Sequence, residues 1–242
     1  MSKPVVVLDP GHGGYDPGAV AYGLKEKELN LMLALKTAER LDGIKVLLTR
    51  ERDIYVSLAD RVALSRRAEP ALFLSLHANA GGGRGFESFI YSGLGTRDPA
   101  VAMQKAIHEN TMSSLNRWEI IDRGLKKASF YVLRQNPYPA VLIESLFIDN
   151  EREAGIWREP PFVETLATGV ARGIRMALGL PLDGSGNASP AAAADLIPAA
   201  SAGGSLYTVQ VGAFAYIENA RQRLVEAQVA GFSDAYIYQK QI

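Results

Sequence analysis

The chain has 242 residues, with 26 lysines and arginines against 26 aspartates and glutamates, 48% hydrophobic residues and no cysteine. That length and apolar content suffice for one large domain and a smaller appendage, and the balanced charge gives no electrostatic basis for binding nucleic acid or an acidic membrane surface. The missing cysteines exclude disulfides, thiolate metal sites and cysteine nucleophiles, and no apolar run reaches the roughly 18 residues a membrane-spanning helix needs.

Met1-Ser2-Lys3-Pro4 leads straight into a strand without a charged and then apolar leader, so the sequence reads as mature or released by a route other than a signal peptide. Val5–Leu8 is a continuous apolar run, and 27–41 follows as a helix with Leu29, Leu31, Met32, Leu35 and Leu41 largely on one face. After the break at Gly43 come a strand over 45–48, a helix over 58–68 and a strand over 71–76. Ser88–Tyr91 alternates more and reads as an edge strand; a helix over 99–115, a strand over 140–145 and a helix over 162–178 complete the pattern. Alternating elements with continuous apolar strands predict an α/β fold, a mostly parallel twisted sheet with helices on both faces, over residues 1–181. Residues 182–205, rich in Gly, Ser, Ala and Pro, read as a flexible linker. Residues 206–242 read as a small βαβ segment, too short to be stable alone and either cut short or dependent on something else.

Of three histidines, two follow strand-like runs: His12 in Leu8-Asp9-Pro10-Gly11-His12-Gly13-Gly14, and His77 after Leu72-Phe73-Leu74-Ser75-Leu76. Either alone reads as a capping or satisfied polar residue. Together, each followed by small or turn-forming residues, they can face one rim of a parallel sheet, where open α/β folds place their sites. The strand Val141-Leu142-Ile143 delivers Glu144 to the same rim. Imidazoles and carboxylates suit zinc, whose catalytic sites take three protein ligands, and Glu26 and Glu144 can complete the set. Glu26 competes with Glu28, which lies about 200° further round the helix; one of them serves the helix N-terminus, and Glu26 is our choice as ligand. His108, in a helical pattern among polar neighbours, reads as structural. Phosphate-loop spacing and a G-x-S-x-G nucleophile elbow are both missing.

The runs Leu8-Asp9-Pro10-Gly11-His12-Gly13-Gly14, Asp16-Pro17-Gly18-Ala19, Gly23-Leu24-Lys25-Glu26-Lys27, Leu48-Thr49-Arg50, Leu74-Ser75-Leu76-His77-Ala78-Asn79 and Val141-Leu142-Ile143-Glu144-Ser145 resemble, in order, a zinc-dependent N-acetylmuramoyl-L-alanine amidase over about residues 4–181. Sporulation amidases that lyse the mother-cell wall are the nearest likeness. The resemblance implies one zinc ion per chain held by His12, Glu26 and His77, with Glu144 as catalytic glutamate, and cleavage of the amide joining N-acetylmuramic acid to L-alanine in peptidoglycan. It implies further a wall or extracellular site of action and a monomer. Asp9 can support a zinc histidine from behind or cap its loop, Glu87 can do the same or touch substrate, and Asn79 can bind substrate amides. Ser145-Leu146 departs from the usual small or polar pair. The segment Leu206–Phe214 resembles the first strand of the sporulation-related repeat, which binds peptidoglycan glycan strands, with about half of such a repeat visible. A zinc carboxypeptidase or deacetylase with the same ligands, and a non-catalytic wall-binding protein, are the competing readings. No long autoinhibitory helix is evident between Gly81 and Tyr131, so an open site is expected.

Overall fold

The computed structural model describes residues 3–182, so the linker and the 206–242 segment lie outside the described residues. Among the described residues a six-stranded sheet runs in the order β4 (Lys45–Leu48), β1 (Val5–Pro10), β5 (Leu72–Asn79), β8 (Ala140–Phe147), β6 (Phe86–Tyr91) and β7 (Asp122–Ala128). The first four strands are mutually parallel; β6 runs antiparallel to β8, and β7 parallel to β6. A two-stranded hairpin, β2 (Val20–Ala21) with β3 (Leu24–Lys25), leads into α1 (Glu26–Ala38).

Strand alternation divides the core into two layers. Val6, Leu8, Leu72, Leu74, Leu76, Val141 and Ile143 pack on one face against α1, α3 (Pro99–Ser114), α5 (Glu151–Arg158) and α6 (Pro160–Ala177). Val7, Phe73, Ala140 and Leu142 pack on the other against α2 (Leu58–Ala68) and α4 (Tyr131–Arg134). Both faces of the central strands are thus covered, which is why they read as unbroken apolar runs rather than alternating ones.

Helix starts follow capping chemistry. Ser57 accepts from the Asp60 amide, Asp98 accepts from the Ala100 amide ahead of Pro99, and Asn150 accepts from the Glu153 amide.

Three sequence expectations need correction. The segment at Ser88–Tyr91 is not an edge strand: β6 lies between β8 and β7, and β7, whose Asp122-Arg123-Gly124-Leu125-Lys126-Lys127-Ala128 lacks an apolar period, takes the edge. The strand read over 71–76 runs on to Asn79, so His77 stands within β5 rather than past its end. α1 ends at Ala38, and its buried side is Glu26, Leu29, Asn30, Leu33, Ala34 and Thr37, whereas Met32 and Leu35 are exposed. The inward stripe therefore includes polar residues that serve the site, and apolarity alone misplaces the helix face. The short α5 gives no apolar run in the sequence, because its eight residues carry four charges.

Candidate metal centre

β1, β5 and β8 end at one rim of the sheet, and the residues they deliver meet there. His77 on β5 is in register with Glu144 on β8, and Glu144 is in turn opposite Glu87 on β6. His12 sits just past β1 with φ 59°, a left-handed conformation between Gly11 and Gly13 that histidine tolerates better than most residues. That turn aims its ring at the start of α1. The ring Nε2 lies 3.1 Å from Glu26 Oε1, and His77 Nδ1 lies 2.8 Å from the same oxygen. One donor atom from each of His12, Glu26 and His77 falls within 4.8 Å of the others, so the three could hold a metal ion. Glu28, the competing carboxylate, points away and pairs with Lys25 in solvent.

The cluster is braced from outside. His12 Nδ1 is 2.9 Å from Asp16 Oδ2, which fixes which ring nitrogen faces Glu26. Glu26 Oε2 accepts from the Ala19 amide, and Asn30 donates to Oε1. Two buried arginines staple the loop: Arg50 donates to the carbonyls of Pro10, Gly11 and Lys27, and Arg61 to those of Pro10 and His12. Asp9 does not reach a histidine nitrogen, contrary to one sequence expectation. Its carboxylate accepts from Thr49, Ser75 and Arg61, so it acts on the loop through Arg61. Two missing side chains make room. A Cβ on Gly11 would lie 2.1 Å from His77 Cε1, and one on Gly18 would lie 2.5 Å from Glu26 Oε2.

Burial by itself raises Glu26, but its hydrogen bonds to both imidazoles outweigh this and hold its carboxyl far below the ordinary carboxylate range. His77 shows the converse: burial lowers it, yet the bond to Glu26 and the neighbouring Glu144 carry it up to about 9. Glu144 is different in kind. Burial pushes it up to about 7, and the nearby charges of Glu26 and Glu87 add to the rise against the pull of His77 and His12. Arg134, a conceivable partner for it, bonds Ser129 instead. His108 is a satisfied core residue between Ser88 and Asp122.

His12, Glu26, His77, Asn79 and Glu144 line a cavity of about 380 Å³. Its walls include Leu58 at the start of α2 and Phe130 and Tyr131 at α4. α3 packs on α6 on the far face of the sheet and contributes no residue to the cavity lining. Asn79 donates to Glu87 Oε1, and Glu87 also accepts from Arg123 and Lys126. Asp16, Asn30, Arg50 and Arg61 are the site residues that sequence reasoning passed over, although Asp16 and Arg50 stand inside the matched runs.

The sequence pattern of the N-acetylmuramoyl-L-alanine amidase family matches residues 6–176. A sporulation-specific N-acetylmuramoyl-L-alanine amidase of Bacillus subtilis is 38% identical over 231 residues, covering 94% of this chain and 82% of that protein. An N-acetylmuramoyl-L-alanine amidase of Bacillus licheniformis is 37% identical over 237 residues, covering 96% and 84% respectively. The crystal structure of an N-acetylmuramoyl-L-alanine amidase from Clostridium difficile superimposes with a TM-score of 0.70 at 29% identity, over 74% of this chain and 98% of that one.

Proposed function

Because the chain belongs to the N-acetylmuramoyl-L-alanine amidase family, we propose that it hydrolyses the amide between N-acetylmuramic acid and L-alanine in peptidoglycan, using one zinc ion held by His12, Glu26 and His77 and a proton carried by Glu144. The observation that carries this reading is the convergence of two imidazole nitrogens on one carboxylate oxygen beside a half-buried glutamate whose pKa is pushed up to about 7. Two nitrogens and one oxygen, with no thiolate in the chain, are the donor set of a catalytic zinc rather than a structural one. The absent side chains at Gly11 and Gly18 leave the donors free to converge.

Bound there, zinc would supply Lewis acidity to the scissile carbonyl and acidify water. The remaining chemistry falls to the chain. A carboxyl with its pKa near 7 takes a proton from water and returns it to the departing nitrogen of L-alanine with little loss at either step. Asp16 holds His12 in one tautomer by occupying Nδ1, and the Ala19 amide and Asn30 fix the Glu26 carboxylate. Arg50 and Arg61 keep the backbone of residues 10–12 in place.

Similarity to a sporulation-specific relative supports a role in sporulation; lysis of the mother-cell wall, action at the cell wall or outside the cell and a monomeric state belong to the same reading and rest on the sequence resemblance. Among the described residues no helix is long and apolar enough to cross a membrane. Residues 206–242 would add a partial glycan-binding repeat tethered by 182–205; equal wall retention of residues 1–181 and the full chain would remove that role.

The decisive test is digestion of purified peptidoglycan by the zinc-loaded chain and by Glu144→Ala, with products identified by mass spectrometry. Free L-alanine amino termini and intact glycan are expected from the parent alone, with the variant slowed by at least about a hundredfold. New peptide–peptide ends, or deacetylated sugars, would replace the amidase with a peptidase or deacetylase; no products from either would leave a binding protein.

A further inference from the structure

Beside the cavity, Glu87 is buried and its carboxylate is shared by two cations, Arg123 and Lys126, both from edge strand β7. Residues three apart on a regular strand face opposite sides. Here they face the same carboxylate, because β7 carries one extra residue against Phe86–Ser88 and Gly124 takes φ +82° at that point. Such bulges re-aim side chains, often next to active sites. The cluster touches the cavity on two sides. Asn79, a lining residue, donates to Glu87, and Lys126 stands 5.8 Å from the centroid of Phe89, whose ring packs on the lining residue Phe130. Glu87 itself lies directly opposite Glu144 in the sheet.

Two cations against one carboxylate is more positive charge than structure requires. Arg123 spends Nε on Glu87 and Nη1 on the Arg84 carbonyl, while both its side chain and that of Lys126 are about a third exposed. Guanidinium and ammonium groups only donate, and exposed donors of this kind are suited to a carboxylate. The glycan offers neutral hydroxyls and amides; the peptide side of the scissile bond offers carboxylates.

Resting on the amidase reading, we infer that Arg123 and Lys126, posted by Glu87 at the rim of the cavity, bind a free carboxylate of the stem peptide just beyond L-alanine and so select acidic over amidated stems. Lys127, on the same strand, donates instead to the Leu94 carbonyl and takes no part.

The test uses two soluble N-acetylmuramoyl peptides that differ only at the residue after L-alanine, which carries a carboxylate in one and a carboxamide in the other. The zinc-loaded full chain should show a lower KM for the carboxylate substrate. Lys126→Gln, which leaves Arg123 to pair with Glu87, should raise that KM about tenfold, the worth of one charge-assisted hydrogen bond. It should move the KM for the carboxamide less than about twofold, with kcat nearly constant for both, and Lys127→Gln should change neither. In the parent, added salt should raise only the carboxylate KM, a reading that needs no variant. Equal KM changes on the two substrates, or no discrimination by the parent, would reduce the pair to neutralising Glu87 and overturn the inference. Failure of the parent to cleave either substrate would instead fell the amidase reading, and this one with it.

Discussion

At the scale of single residues, the centre depends as much on atoms withheld as on atoms supplied. The His77 ring stacks so closely on Gly11 that a methyl group there would lie 2.1 Å from Cε1, well inside any tolerated contact. Gly11→Ala must therefore push the imidazole away from Glu26 or distort the loop that Arg50 and Arg61 hold. Displacing a ligand by about an ångström is worth roughly a hundredfold in rate, so we expect at least that loss, together with a fall in bound zinc measured on the dialysed protein. Normal zinc content with full activity would show that the His77 ring can sit elsewhere. Leu146 tells the same story from the other side. It adopts φ 49° while fully buried, two residues after Glu144, a conformation that costs a bulky residue of the order of 1–3 kcal/mol. Glu153 holds the turn by accepting from the Phe147 and Gly85 amides, so the strained conformation is kept at the end of β8 close to Glu144.

At the scale of elements, Glu87 fastens β6 to edge strand β7 and, through Asn79, to the end of β5. Burial raises its carboxyl, but the bonds from Lys126, Arg123 and Asn79 prevail and hold it below 4.5. A carboxyl depressed in the folded state contributes stability above its unfolded value and loses it as pH falls through the folded value. The stabilisation should thus be complete at pH 7 and fade below about pH 4.5. Glu87→Gln should lower the urea midpoint at pH 7 and approach the parent's as the pH falls through the folded-state value of Glu87; a gap that stays constant with pH would mean that the side chain acts by packing alone. The same strands show what the sequence reveals. β1, β5 and β8 are legible because burial on both faces demands unbroken apolar runs, and those runs lead into His12, His77 and Glu144. β7 is not legible, since its residues 122–128 alternate only between half-buried and exposed, and its role lies in long-range pairing with Glu87. The bracing by Arg50, Arg61 and Asp16 was hidden for a similar reason: a buried arginine looks like any other until the carbonyls it serves are placed around it.

For the whole molecule, the proposed ligands come from a loop after β1, the first turn of α1 and the interior of β5, elements that meet only when the sheet has formed. Zinc that binds these three side chains together binds the folded state and not the unfolded chain, so it must stabilise the fold by mass action. At a free zinc concentration a thousandfold above the dissociation constant that amounts to about 4 kcal/mol. In a domain of this size each kcal/mol shifts the midpoint of thermal unfolding by about 2–4 °C. The zinc-loaded chain should accordingly melt roughly 8–16 °C above the chelated one, with the gain reversed by excess chelator. His77→Ala, which removes one ligand, should melt at the same temperature with and without zinc. A zinc-dependent rise that survives His77→Ala would place the stabilising ion at other residues, and no rise in the parent would mean that the three side chains pair with one another instead of with a metal.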